Sequence, residues 1–198
     1  MPFGINDVVV VDSYVYSCKN GYIYYYPLSP TPEILKHNIN SGENSLFALS
    51  NIKDVNSKHR GHVICDGEFI YVVMQNAPFV EKYSTDGKRV EKYDYSHKIN
   101  FMHTFEYIDD QEKQSGTIST LVRDVSYYKG HLFLLIYLRD YSDTFISNTI
   151  LSINTNDKSD MELYHLDDGG YFSLTSFDGG LFLFDVKNAE LKLYNPFE

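Results

Sequence analysis

Cys65-Asp66-Gly67-Glu68-Phe69-Ile70-Tyr71-Val72-Val73 is a tight turn running straight into a strand. Val80-Glu81-Lys82-Tyr83-Ser84-Thr85-Asp86-Gly87-Lys88-Arg89-Val90 follows within a few residues and repeats the pattern: strand, Asp-Gly turn, strand. Asp-Gly between β-branched and aromatic runs is the strongest short-range hairpin signal. With His62 to Cys65 leading in, the stretch predicts strands at Phe69 to Met74, Phe79 to Ser84 and Arg89 to Tyr93. Together they make a four-stranded meander.

Three other places in the chain share the opening of this unit. Polar-Gly turns at Lys19-Asn20-Gly21, Asp66-Gly67, Lys129-Gly130 and Asp178-Gly179 precede Ile23-Tyr24, Ile70-Tyr71, Leu132-Phe133 and Leu181-Phe182. These pairs are spaced by 47, 62 and 49 residues. Repeats of about forty residues or more, built of strands, mark a β-propeller whose repeats are blades. The expected fold is all-β and β-propeller-like, a single domain over 1–198. It has about four blade repeats of four-stranded antiparallel sheets, near 7–50, 60–95, 120–166 and 170–198. Further strands are predicted at Asp7 to Asp12, Ser13 to Ser17, Tyr22 to Tyr26, Ile34 to His37 and within Gly42 to Ser50. The later ones are Leu121 to Tyr127, Leu132 to Leu138, Thr149 to Ile153, Met161 to His165, Tyr171 to Thr175, Leu181 to Val186 and Leu191 to Tyr194. Glu106 to Gly116 and Arg139 to Ser147 are polar insertions, which in repeat proteins map to loops on one face, often the binding face.

A formal charge of -10 and no basic stripe argue against a nucleic-acid partner. No stretch reaches the ~20 apolar residues of a membrane helix, so the chain reads as soluble. Met1 to Asp7 lacks the basic start of a signal peptide. The compartment stays open: periplasmic or cell-surface if the chain is cut from an exported precursor. Cys18 and Cys65 fall at similar places in the first two repeats. Outside a CxxC pair they support neither zinc nor redox chemistry, and the expectation is two buried thiols.

The sequence holds no GxSxG elbow, HExxH, Walker A loop or GxGxxG. What remains is a ring of polar residues where the innermost strands begin. His59-Arg60-Gly61-His62 opens one such strand, Arg123-Asp124 the next, and Tyr171 the last. Arg60, His62, Arg123, Asp124 and Tyr171 are therefore the candidate ligand-binding residues, with no catalytic or metal residue named. Such a mouth would hold a small anionic or sugar-like ligand by charge-assisted hydrogen bonds. No cofactor is expected, except that calcium could sit on loop carboxylates such as Asp109-Asp110 or Asp167-Asp168.

The second repeat resembles those of six-bladed propellers of the TolB and NHL type: a Gly turn, an Ile-Tyr-Val strand, then an aromatic strand ending in Asp-Gly-Lys. The opening Val8-Val9-Val10-Val11-Asp12-Ser13-Tyr14-Val15-Tyr16 is similar to repeats of six-bladed propeller proteins from Bacteroides-type bacteria. Six blades need roughly 240 residues, and this chain has room for about four. It could be part of a larger propeller, an incomplete ring closed by a partner, or a complete four-bladed ring. A partial propeller would self-associate. The expected function is a non-catalytic module binding a protein, carbohydrate or small ligand at a propeller face. The alternative is a calcium-dependent hydrolase resembling the propeller lactonases, with Asp124 the one acid placed near the axis.

Overall fold

The computed structural model describes residues 15–17, 21–26, 33–50, 61–98, 110, 120–139, 145–167 and 169–197. Every element among them is a strand. β1 (Val15–Ser17), β2 (Tyr22–Tyr25), β3 (Glu33–Asn38) and β4 (Asn44–Leu49) form the first sheet, in that order. β5 (Gly61–Cys65), β6 (Phe69–Met74), β7 (Phe79–Ser84) and β8 (Arg89–Asp94) form the second. β9 (Val122–Tyr128), β10 (His131–Arg139), β11 (Phe145–Asn154) and β12 (Met161–His165) form the third. β13 (Tyr171–Phe177), β14 (Gly180–Asp185) and β15 (Glu190–Tyr194) form the fourth. All neighbours pair antiparallel. The fold is all-β and β-propeller-like, with four consecutive meanders.

β6, β7 and β12 begin and end where the sequence places them. Three expectations need correction. The fourth sheet has three strands among the described residues instead of four. Arg139 to Ser147 is not all insertion: Phe145 and Ile146 pair with Arg139 and Leu138 and extend the β10–β11 hairpin. Cys65 is disulfide-bonded rather than a thiol. It ends β5, which lies beside β1, and β1 stops one residue short of Cys18, the chain's other cysteine, itself outside the described residues. The predicted strand Asp7 to Asp12 also lies outside them.

Period-two alternation gives each sheet two apolar faces, one for the sheet before it and one for the sheet after. On β6, Ile70 and Val72 pack back toward the first sheet, while Tyr71 and Val73 pack forward toward the third. On β10, Leu132 and Leu134 face back and Phe133 and Leu135 face forward. On β14, Leu181 and Leu183 face back into the core shared with the third sheet. Three cores thus join four sheets in sequence. Both kinds of buried charge lie on these faces. Glu81, fully buried between the first two sheets, accepts hydrogen bonds from Tyr83 Oη and Arg89 Nη1, both at 2.9 Å, and from Ser50 Oγ. Lys82, on the other face, donates to the Thr155 carbonyl at 3.1 Å and lies 4.0 Å over the Phe69 ring. Alternation of Glu81 and Lys82 therefore sends one charge into each core, where Glu81 pairs with Arg89 and Lys82 is held by a carbonyl and an aromatic face.

Gly87 shows how tightly turns and sheets interlock. It has φ +86, and a Cβ there would strike the Phe47 carbonyl oxygen of the first sheet. Gly67 has φ +102 but nothing near its missing Cβ. Gly87→Ala is expected to lower unfolding stability by about 2 kcal/mol, against about 1 for Gly67→Ala, whose cost is backbone strain alone. Urea melts of the two variants check this, and equal losses would show that the Phe47 contact is soft.

Candidate functional site

The innermost strands β1, β5, β9 and β13 lie side by side across the four sheets. Tight turns with glycines at positive φ, Gly21, Gly67 and Gly130, follow the first three. The Asp178-Gly179 turn follows the last. At the opposite end the inner strands begin. The longer connections 27–32, 51–60, 99–119, 140–144 and 166–170 all join strand ends there. The two longest of these, 51–60 and 99–119, join strands at that end, and the connections at the other end run to six residues at most.

Side chains at this insertion-bearing end are held by bonds from sheet to sheet. The amides of Leu121 and Val122 both donate to the Gln75 carbonyl, at 2.6 and 3.0 Å. His62, with no exposed surface, has Nε2 3.3 Å from the Val122 carbonyl and 3.1 Å from Gln75 Nε2. Burial pushes its pKa down to about 4, opposed in part by the Val122 hydrogen bond. Arg123 reaches to the fourth sheet. Its Nε donates to the Phe172 carbonyl at 3.4 Å, and its guanidinium lies 3.6 Å over the Phe172 ring and 5.5 Å from that of Tyr137. Asp124 points between the sheets, its carboxylate accepting from the amides of Leu174 and Val125 at 2.8 and 2.9 Å. Burial raises its pKa against those two hydrogen bonds.

Tyr171 sits in the core between the third and fourth sheets, 3% exposed. Its hydroxyl donates to Asp167 and lies 3.4 Å from Lys192 Nζ. That ammonium also pairs with Asp167 at 2.8 Å and with Asp185 at 3.1 Å. Asp185, fully buried, further accepts from Asn188 Nδ2 and from the amides of Gly170 and Lys187. Burial works to raise the Asp185 carboxyl, but the Asn188 and Lys192 hydrogen bonds outweigh it and hold the group far below the usual carboxylate range. Hydrogen bonds to the two carboxylates hold Lys192 protonated. This cluster clamps β15 to the start of β13.

Of the sequence-derived candidates, Arg123 and Asp124 reach the inner strand of the fourth sheet, at Phe172 and Leu174, whereas the Tyr171 side chain turns away to Asp167 and Lys192. His62 is linked to β9 through Val122. Arg60 lies outside the described residues, as do Asp109 and Asp168. Among the described residues no group of three or more His, Cys, Asp and Glu side chains is arranged to hold a metal ion.

Phe172 and Tyr137 were not singled out by sequence, and the sheet ladders explain their position. Pairing skips Arg123 between Asp124 and Val122, skips Phe172 between Tyr171 and Ser173, and skips Tyr137 between Ile136 and Leu138. Arg123 and Phe172 are thus bulged residues, and Tyr137 is the single residue that faces the bulge Ser147-Asn148 of β11. A bulge frees one residue from the alternation and re-aims its side chain. Bulges are invisible in a sequence whose alternation otherwise continues, and the one available signal was the aromatic Phe172 beside a buried Tyr171.

No family model matches this chain, and no curated protein matches it. Solved structures do match in fold. A catalytically inactive virginiamycin B lyase from Staphylococcus aureus, solved with quinupristin, is 9% identical with a TM-score of 0.56, over 92% of this chain and 55% of that one. BamB from Moraxella catarrhalis is 8% identical with a TM-score of 0.54, over 93% and 44%. The computationally designed Ika4 protein is 11% identical with a TM-score of 0.52, over 93% and 92%. The chain spans about half the length of the lyase and of BamB. At these identities the likeness concerns fold alone, and with the four consecutive meanders it makes this chain a β-propeller structure.

Proposed function

We propose that this chain is a binding module that takes a small carboxylate-bearing ligand, of the acidic-sugar kind, at the end where its inner strands begin. The observation that carries this is the stack of Arg123 on Phe172, both bulged residues, with Tyr137 beside them, at the end where the inner strands begin. Phe172 is 52% exposed, so its ring beneath the guanidinium is accessible to a ligand. Arg123 spends Nε on the Phe172 carbonyl; among the described residues its two terminal nitrogens take no acceptor and can present a fork to a carboxylate. The ring beneath supplies an apolar platform for the body of the ligand. Asp124, by contrast, uses both carboxylate oxygens on backbone amides, which favours a positioning role over a metal-holding one. The wording of the second repeat supports kinship with TolB and NHL blades. The Cys65 disulfide supports an extracytoplasmic setting, since disulfides persist in oxidising compartments.

Calorimetric titration with glucuronate and galacturonate tests the proposal. Saturable binding is expected, weakened about tenfold or more in Arg123→Ala, which removes one bidentate charge-assisted pair. Arg123→Lys should recover only part of it, because an ammonium cannot form the fork. No saturable binding of either sugar acid, or equal binding by Arg123→Ala, would sink the proposal.

A further inference from the structure

We propose that two copies of this chain close into one ring of eight sheets, the fourth sheet of each packing on the first sheet of the other. The repeat itself leads there. Forward-facing pairs Tyr71/Val73 on β6 and Phe133/Leu135 on β10 are completely buried by the next sheet. The same positions on β14 are Phe182 and Phe184, and no described sheet covers them. Phe184 is 39% exposed, and its cross-strand neighbour Leu191 is 65% exposed. Leu193, opposite Phe182, is 59% exposed. The face is thus an apolar forward face of the kind that the second and third sheets bury.

What such a face takes in this molecule is always the backward face of a following sheet. Among the described residues one backward face is uncovered, that of the first sheet. There Leu46 is 55% and Leu49 60% exposed, beside the half-buried Ile23, Tyr25 and Leu35. Among the described residues no apolar core joins the fourth sheet to the first; the three cores join first to second, second to third, and third to fourth. Among the described residues the two ends of the stack are therefore complementary in kind but left uncovered. A second copy satisfies both at once. The matched lyase and BamB chains, of which this chain spans 55% and 44%, carry about twice its length in one polypeptide. Eight sheets also fall within the four to eight blades that propellers use.

Interface size favours closure over an open pair. Three strands of about five residues make a face roughly 16 Å by 15 Å, from the rise and spacing of strands. Counting both sides and surface relief, one junction buries roughly 500–700 Å², too little for a stable specific interface, whereas two junctions reach the usual range of about 1,200 Å² and more. A head-to-tail contact that closes after two copies gives a discrete dimer instead of a filament.

Sedimentation velocity and light scattering of the full chain at micromolar concentration test this. The expected mass is twice 22.9 kDa. Leu193→Glu and Leu46→Glu place a carboxylate in the fourth-sheet and first-sheet faces, and each alone should give a monomer with the wild-type far-ultraviolet dichroism. Mixing the two variants restores one junction between two unmodified faces and should give a weak heterodimer. A wild-type monomer, or assemblies that grow beyond two copies, would overturn the ring. A dimer that survives Leu46→Glu but not Leu193→Glu would overturn it too, since it would mean that two fourth-sheet faces pair with each other.

Discussion

Acidification from pH 7 to pH 4 is expected to cost the fold about 3 kcal/mol through His62 alone. Its imidazole has no exposed surface, and burial lowers its pKa from 6.5 to about 4. At about 1.4 kcal/mol per pH unit, that difference amounts to about 3 kcal/mol. The direction follows from proton counts. Between pH 6.5 and about 4 the unfolded chain binds a proton at this residue and the folded chain does not. Stability therefore falls as pH falls through that window, and the loss is complete below about 4. Asp167 and Asp185 act in a lower window. Their folded pKa values are depressed, so the stability they contribute is present above the ordinary carboxylate pKa, about 3.9, and lost below it. Unfolding free energies from urea melts at several pH values separate the two. His62→Asn should flatten the slope between pH 4 and 6.5 and leave the steeper acid limb in place. An unchanged slope in that variant would assign the acid sensitivity elsewhere.

His62 also shows where sequence stops. Its place at the head of an inner strand was legible, because turns carry glycine and strands carry β-branched and aromatic residues, both local signals. Most strand ends follow from them to within two residues. Which way His62 points is not local. It depends on the third sheet supplying the Val122 carbonyl sixty residues away, and that contact takes the side chain out of solvent. Tyr171 was legible as a strand opener in the same way, but its hydroxyl goes to Asp167 and Lys192 on the outer side of the sheet. Arg123 was read as a candidate ligand-binding residue at the head of an inner strand, and its aromatic partners were hidden by bulges in the ladders. Glu81 and Lys82 are adjacent charged residues of one strand. Each is buried because a neighbouring sheet covers both faces of β7, a fact about stacking that no single strand records. The disulfide at Cys65 is likewise set by which strands lie side by side.

Phe133→Ala is expected to have the largest effect of any single truncation considered, about 3–5 kcal/mol, the usual cost of deleting a buried Phe ring. The ring has no exposed surface and forms the core between the third and fourth sheets with Leu135, Ile150, Leu174, Leu181 and Leu183. The loss should also be uneven in space. The second and third sheets are each held by an apolar core on both faces, whereas the fourth is held within the chain by this core alone among the described residues. Its other ties include Asp124 to the Leu174 amide, Ser176 Oγ to the Tyr127 carbonyl at 2.9 Å, Tyr128 Oη to the Asp178 carbonyl at 3.0 Å, Ser147 Oγ to the Tyr171 carbonyl and the Arg123 stack on Phe172. Each contributes about 1 kcal/mol and is already present in the intact chain, so none of them replaces the lost packing. A cavity in that core should therefore release β13–β15 before the rest of the stack, in the manner of a sub-global opening. Hydrogen exchange in the Leu193→Glu background, where only one chain is present, reads this directly. Amides of β14 should lose protection in Phe133→Ala while those of β6 keep theirs. Val73→Ala, which opens the core between the second and third sheets, should instead speed exchange in both. If β6 and β14 amides accelerate equally in Phe133→Ala, the four sheets unfold as one cooperative unit and the fourth is not the weakly held end.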